Sequence, residues 1–309
     1  MTPSAIGADI GGTKLLAVAL AADGTVTAEA KVARPDTAEE AVATLGDLAH
    51  EWGGDGGVPP VGVGVACLVD RAGVLRAGPN LPGFDGFHFA ARLAERTGGP
   101  VAVENDATAA AWAEQQIGAA RGVADALFVA FGTGIGGAAI IGGALRHGVN
   151  GFAGEFGHMV VDPAGPLCPC GARGCWERFA SGSGLAWMAA RHPSGRFASV
   201  RGEAVAAAAA DGDADAIEVV EELAGWIALG IGNLVAAYDP QVVVVGGGLV
   251  EMGDLLLAPV RRRLGEVTFA AASRPMVPVL AAALGERAGA LGAALLARDV
   301  AAGGSALLG

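Results

Sequence analysis

The sequence predicts an α/β protein built from two rounds of one structural unit, with a metal-stapled loop in the second round. Short apolar runs of strand length alternate with stretches of helical length, the pattern of sheets covered by helices. The order strand, strand, strand, helix, strand, helix begins again near Ala126, where a second glycine-closed hairpin copies the first in rhythm but not in identity. Three of the four cysteines crowd into Cys168-Pro-Cys170-Gly-Ala-Arg-Gly-Cys175, ten residues downstream of His158.

The elements follow in order. Ala5 to Ile10 reads as a first strand, Gly11-Gly12-Thr13 as its turn and Leu15 to Leu20 as a second strand. Asp23-Gly24 is a hairpin signal, so a third strand runs from about Thr25 to Val32. Thr37 to Trp52 reads as a helix with Asp36 as N-cap and Glu39 in the capping-box position. Val61 to Ala66 is a buried strand, and Pro100 to Glu104 is another that runs straight into Asn105-Asp106 and a helix from Ala107 to about Ala120. In the second round, Ala126 to Phe131, a glycine-rich turn and Ala138 to Ile141 form the hairpin. A long helix from about Ala216 to Ala237, the strand Gln241 to Val245 and Gly246-Gly247-Gly248 come next. Ala282 to Ala301 is a final helix that can cross back to the first round. Two such units facing a cleft bind ligands at the carboxyl ends of their strands.

A chain of 309 residues has room for one large or two medium domains. Its net charge of −12, with Lys14 and Lys31 the only lysines, supplies no basic stripe for nucleic acid. The cysteines do not form a disulfide framework, since Cys67 stands alone in an apolar run; free thiols fit a reducing, cytoplasmic setting. No basic region precedes the first apolar stretch, which Asp9 interrupts, so no signal peptide is expected. Ala126 to Leu145 is long and apolar enough to suggest a membrane span, but its glycines mark a turn between short strands, and no membrane partner is expected.

Asp9-Ile-Gly11-Gly12-Thr13-Lys14 closes the first hairpin. It is either an ordinary β-turn or a site where glycine backbones, a hydroxyl and an ammonium approach phosphate. It is not a Walker A loop, because the lysine follows the threonine. Gly132-Thr133-Gly134-Ile-Gly-Gly137 matches a dinucleotide fingerprint in spacing, yet a strand follows it where that fingerprint needs a helix. It reads instead as a second phosphate-facing hairpin. Asp106 stands between strand and helix, where an aspartate would cap the helix whatever the function. The functional reading is a general base, with Asn105 beside it on the same substrate, as phosphoryl transfer to a hydroxyl requires.

His158, Cys168, Cys170 and Cys175 match the tetrahedral donor set of structural zinc. If zinc takes one ring nitrogen of His158, the other is held as a donor. Glu155 and Glu177, carried by the same staple, would accept from neighbouring hydroxyls of a polyol. His50, His88, His147 and His192 show no ligand spacing and read as surface or loop residues.

Five segments in their order carry a resemblance to a known family. They are Asp9 to Lys14, Pro79-Asn80-Leu-Pro-Gly83, Glu104-Asn105-Asp106-Ala107, Phe131 to Gly137 and the block from Gly154 to Glu177. Together they resemble the ROK family of repressors, open reading frames and sugar kinases, and among its members the bacterial glucokinases most. The resemblance spans essentially the whole chain. It implies the actin-like, hexokinase-type fold, with two lobes of duplicated α/β units around a cleft. A small lobe would take residues 1–107, completed by a C-terminal helix at about 285–309, and a larger lobe residues 108–284 with the zinc loop.

By resemblance, the catalytic base falls on Asp106. Sugar contacts fall on Asn80, Asn105, Asp106, Glu155, His158 and Glu177, and zinc ligands on His158, Cys168, Cys170 and Cys175. The two phosphate loops fall on Asp9, Gly11, Gly12, Thr13 and Lys14 and on Gly132, Thr133 and Gly134. Gly246, Gly247 and Gly248 match the segment near the adenosine end of the nucleotide. Thr108 replaces a frequent Asn, and Ala66-Cys67 a frequent Pro-Gly or Ala-Gly. The implied activity is transfer of the γ-phosphoryl group of ATP to the 6-hydroxyl of glucose, with Mg²⁺ on the phosphates placed through Asp9 and water, and Zn²⁺ as a structural ion. The alternatives are a kinase for another hexose or an N-acetylated amino sugar, and a glucokinase using polyphosphate. A sugar-responsive repressor is disfavoured, because only four residues precede Ala5. Members of the family are commonly homodimers or homotetramers.

Overall fold

Apolar residues fill both faces of the first hairpin, so it can only be stable as the buried centre of a sheet. Strands β1 (Ala5–Ile10) and β2 (Lys14–Leu20) pair antiparallel, and β3 (Val26–Ala33) adds to β2 with its polar residues turned outward. A computed structural model describes residues 3–78 and 81–304 of the chain. Helix α1 (Ala38–Gly53) leads to β4 (Val61–Val65), the short hairpin β5 (Leu68–Val69) and β6 (Leu75–Ala77), and helix α2 (Phe89–Thr97). Strand β7 (Val101–Asn105) then passes without a loop into α3 (Asp106–Ile117).

The second round holds β8 (Ala126–Phe131), β9 (Ile135–Ile141) and β10 (Ala144–Leu145), then helices α4 (Glu177–Ala180), α5 (Gly182–Arg191), α6 (Gly202–Ala210) and α7 (Ala214–Tyr238). Strand β11 (Val242–Gly246), α8 (Asp254–Val267), β12 (Val279–Ala281) and α9 (Ala288–Ala301) complete the order. The first sheet runs β3-β2-β1-β4-β7 and the second β10-β9-β8-β11-β12. In both, three chain-consecutive strands lie in reverse order beside two later ones that run parallel to the first of them. The duplication seen as rhythm in the sequence is therefore a duplication of topology.

The chain divides into two compact units. One comprises Met1–Ala124, Ala138–Gly154 and Ala283–Gly309, the other Asp125–Gly137 and Glu155–Ala282. In the first, Ile6, Ile10, Val61, Val63 and Val65 pack with Leu45 of α1 and Phe89 and Leu93 of α2. Helix α9 covers the sheet at backbone contact: a Cβ added to Gly62 would stand 1.8 Å from the Ala293 carbonyl oxygen. Glu114 ties this unit's ends together, its buried carboxylate accepting the N–H groups of Ala119, Ala283 and Leu284 at 2.7, 2.9 and 2.9 Å. In the second unit, α7 is apolar and long enough to cross a membrane by composition, yet Val219, Leu223, Ile227, Ile231 and Leu234 are buried in the core.

Several local expectations are corrected. Thr37, not Asp36, caps α1, and Glu40, not Glu39, completes the box, because the reciprocal pair needs a spacing of three from the actual cap. Strand β9 begins at Ile135 instead of Ala138, taking in two glycines because the Phe156 ring occupies the space a side chain at Gly137 would fill. Helix α3 ends at Ile117, three residues early, where Glu114 draws the Ala119 N–H out of the helical pattern. The last helix begins at Ala288, not Ala282, which lies after β12.

Candidate active site and metal centre

The end of β7 sets the first group of side chains. Asn105 is the N-cap of α3, its Oδ1 accepting the N–H groups of Ala107 at 2.9 Å and Thr108 at 3.1 Å. The cap expected at Asp106 is thus supplied by its neighbour. The Asn105 Nδ2 donates to the Cys67 carbonyl at 3.2 Å, so the amide is held at both ends. Asp106 becomes the first helical residue, with Oδ1 on the Ala107 N–H at 2.9 Å. Burial holds its carboxyl well above the usual carboxylate range.

Asp9, at the end of β1, belongs to the same unit and feels Asp106 directly. Burial first, and the negative field of Asp106 second, push its carboxyl up to about 7, while Lys14 pulls it down. Among the described residues no donor reaches the buried Asp9 Oδ1. Gly289, near the start of α9, makes room for this carboxylate: a Cβ there would stand 2.8 Å from Asp9 Cγ. The turn after Asp9 is closed by the Gly11 N–H on the Lys14 carbonyl at 3.0 Å, leaving Gly12 and Thr13 exposed. The Lys14 ammonium contacts Glu286 Oε2 at 2.5 Å, and that bond, with Lys31 beside it, holds the Glu286 carboxyl down to about 2.

One histidine lies in a loop, as its sequence reading allowed, but is not exposed. His147 is buried, not on the surface, because its Nε2 meets Glu104 Oε2 at 2.7 Å with both side chains 6% exposed. A carboxylate in a Val-Ala-Val-Glu strand needed such a partner, and that was the available signal.

The second unit holds the candidate metal ligands. The donor atoms of His158, Cys168, Cys170 and Cys175 all lie within 4.8 Å of one another. Cys170 Sγ and Cys175 Sγ are 3.6 Å apart, and Cys168 Sγ and His158 Nδ1 3.8 Å. Tetrahedral zinc, with Zn–S about 2.3 Å and Zn–N about 2.0 Å, sets ligand atoms roughly 3.5–3.8 Å apart, so the set fits the ion. Burial pushes the Cys168 and Cys175 thiols up, which a divalent cation reverses by coordinating the thiolates. Isolated bridges between Val160 and Cys175 and between Leu167 and Arg173 shape the loop. Trp176, fully buried between the last cysteine and Glu177, bolts it to the core: its Nε1 donates to the Trp226 carbonyl at 2.7 Å and its ring meets Phe131 edge-on at 5.5 Å.

His158 turns Nδ1 to the sulfurs and Nε2 outward, 3.7 Å from Glu155 Oε2. Glu177 lies 3.1 Å from Cys168 Sγ through Oε1, while its Oε2 stands 2.7 Å from where a Cβ at Gly134 would be. The zinc block and the second glycine turn therefore meet at one carboxylate. That turn is closed by the Gly132 N–H on the Gly134 carbonyl at 3.0 Å. It is also held by α5: the Gly182 N–H donates to the Gly132 carbonyl at 2.8 Å and the Ser183 hydroxyl to the Thr133 carbonyl at 3.0 Å. Sequence reasoning missed Ser181 and Ser183, whose hydroxyls are 2.8 Å apart at the cap of α5. Gly246 is in register with Ala130, so Gly246-Gly247-Gly248 leaves β11 beside the same turn. Gly247 needs its glycine, with φ at +83° and its α-carbon against the Phe131 backbone. Asn80 lies outside the described residues.

The chain is similar to known proteins along nearly its whole length. The family model described as ROK family matches residues 5–300. A glucokinase of Streptomyces coelicolor is 36% identical, over 95% of this chain and 97% of its own. An N-acetylmannosamine kinase of Escherichia fergusonii is also 36% identical, over 96% of this chain and 99% of its own. The crystal structure of a ROK family glucokinase from Streptomyces griseus, in complex with glucose and AMPPNP, superposes with a TM-score of 0.83 at 38% identity, over 96% of this chain and 99% of that one. The fold is the actin-like one of these kinases, with its paired sheets of equal topology. Matched along nearly its whole length in sequence and in structure, the chain is a sugar kinase and belongs to the ROK family.

Proposed function

We propose that this kinase transfers the γ-phosphoryl group of ATP to the 6-hydroxyl of glucose, with Asp106 as general base. The observation that carries the reading is the division of labour at the end of β7. Asn105 does the capping, which leaves Asp106 a half-buried carboxylate of raised proton affinity at a strand's carboxyl end. Such a group accepts the proton of a hydroxyl as its oxygen attacks phosphorus in line. Glu155, Glu177 and the outward Nε2 of His158 offer two acceptors and one donor to sugar hydroxyls. Asn80 and Asn105 complete the set by resemblance.

Zn²⁺ fits His158, Cys168, Cys170 and Cys175, and its chemistry there is to fix the imidazole so that Nε2 carries the hydrogen. Mg²⁺ comes with the nucleotide and neutralises phosphate charge. The Asp9 Oδ1, without a partner among the described residues, would suit its water shell. Glucokinase relatives support glucose and ATP as substrates. A second reading, phosphorylation of an N-acetylated amino sugar, is favoured by the equal identity to N-acetylmannosamine kinases. A coupled assay of the purified protein against glucose, mannose, fructose and N-acetylmannosamine, with ATP and with polyphosphate, separates them. The highest kcat/KM falls on glucose with ATP, and a higher value for N-acetylmannosamine would replace the first reading by the second.

The Asp9 carboxyl also sets a pH dependence. With a value near 7 it gains a proton as the medium is acidified, losing the charge that would attract the cation. On this reading kcat/KM for ATP falls tenfold per pH unit below about 7, by single-group titration. Stability moves the other way. A carboxyl raised in the folded state adds stability that is complete below its unfolded value near 3.8 and is lost as pH rises through about 7. A kcat/KM profile that stays flat down to pH 5 would rule out this role for Asp9.

A further inference from the structure

The buried pair Glu104–His147 has been given no role toward sugar, nucleotide or metal, yet it is bonded to the backbone N–H of Asn105, the residue before Asp106. Glu104 Oε1 accepts the Asn105 N–H at 2.9 Å, and Oε2 meets His147 Nε2 at 2.7 Å. A carboxylate only accepts, so the hydrogen of this contact lies on Nε2. The Asn105 backbone is therefore held by the Glu104 carboxylate, while its side chain is fixed on the α3 amides and on the Cys67 carbonyl.

His147 is itself fixed. The Ala153 N–H donates to its carbonyl at 3.0 Å, and the Arg71 guanidinium binds the Gly148 carbonyl at 3.1 and 2.6 Å. It follows strand β10 and comes within eight residues of Glu155 along the chain. Its Nδ1 is buried, and among the described residues nothing bonds to it. A histidine kept for stability alone would be expected to use both ring nitrogens. This one uses a single nitrogen, on the carboxylate next to the catalytic corner.

We propose that His147 is a positioning residue of the phosphoryl-transfer reaction. It locks the Glu104 side chain, and through the Glu104–Asn105 hydrogen bond it fixes the backbone one residue before Asp106. The inference rests on the reading of Asp106 as the base. Misplacing a base by about 1 Å costs on the order of a hundredfold in rate, so a fixed peptide at this corner has kinetic value.

The test compares three substitutions in the full-length, metal-loaded enzyme. His147→Gln places an amide N–H where Nε2 now lies. His147→Asn is polar but too short to reach Glu104, and His147→Leu removes the donor. Each variant is titrated calorimetrically with the best sugar of the panel, and kcat is expressed per sugar-binding site, so that a loss of folded protein does not lower it. His147→Asn and His147→Leu lower kcat per site by about tenfold to a hundredfold, with sugar Kd and KM for ATP within threefold. His147→Gln recovers kcat per site to within threefold of the parent. If His147→Leu yields no folded protein, the Gln and Asn pair carries the test alone. Equal kcat per site in those two, whether high or low, overturns the proposal. Asp106→Asn is measured alongside. Should it lose turnover while His147→Asn keeps it, only the role of His147 falls; should Asp106→Asn keep turnover, the base itself is misassigned.

Discussion

Asp106→Asn lowers kcat by about 10²-fold or more, the usual range for loss of a general base, while the protein folds as before. The substitution is close to isosteric, and the side-chain oxygen can still accept the Ala107 N–H. The cap of α3 is unaffected, because Asn105 supplies it. Removing the charge also takes away the second of the two causes that raise the Asp9 carboxyl. The variant is thus expected to be at least as stable as the parent at neutral pH, and its Asp9 titrates lower. Turnover and melting temperature therefore move apart, which a structural role for Asp106 does not produce. The measurement is kcat at saturating sugar and ATP, with a thermal melt of the same samples. A variant with near-parental turnover would end the assignment of Asp106.

What could be read in the sequence depended on how local the physics was. The Cys168–Cys175 cluster was legible because a metal fixes its ligands by donor type and spacing, and the four donor atoms do converge. The paired hairpins were legible because glycine turns between apolar runs leave few other solutions. The doubled sheet order confirms them. Caps were misplaced by one residue at both Thr37 and Asn105, where adjacent polar side chains compete and only the backbone path decides. Glu104 in its apolar strand signalled that a partner was needed, but that the partner is His147 was not readable. The two lie 43 residues apart in sequence, and no periodicity marks a contact made by a loop folding back. Trp176 could have been noticed, since a large aromatic between a metal ligand and a carboxylate implies an anchor for that loop.

Cys170→Ser is expected to lose zinc and weaken sugar binding in one step. Cys170 is the exposed member of the set, so the exchange of sulfur for oxygen disturbs no core packing. A hydroxyl does not replace a thiolate on zinc, and three remaining donors hold the ion far less well. The consequence for sugar runs through His158. Without the ion, Nδ1 is free to carry the hydrogen, the ring is no longer fixed, and the Nε2–H offered outward is lost. Glu177 is carried on the same staple, its Oε1 3.1 Å from Cys168 Sγ, and without the ion a Cys168 thiol competes with sugar hydroxyls for that oxygen. One charge-assisted hydrogen bond is worth about 1.5–3 kcal/mol, so the sugar Kd rises by roughly tenfold or more. KM for ATP changes less, because the Gly132–Gly134 turn is also held by the Gly182 N–H and the Ser183 hydroxyl. Elemental analysis of the purified variant, beside calorimetric titration with glucose, reads both quantities. Zinc-free protein that binds sugar as tightly as the parent would show that the ion braces the loop without shaping the sugar contacts. Zinc retained at the parental level would mean that His158 and the other two cysteines suffice to hold it.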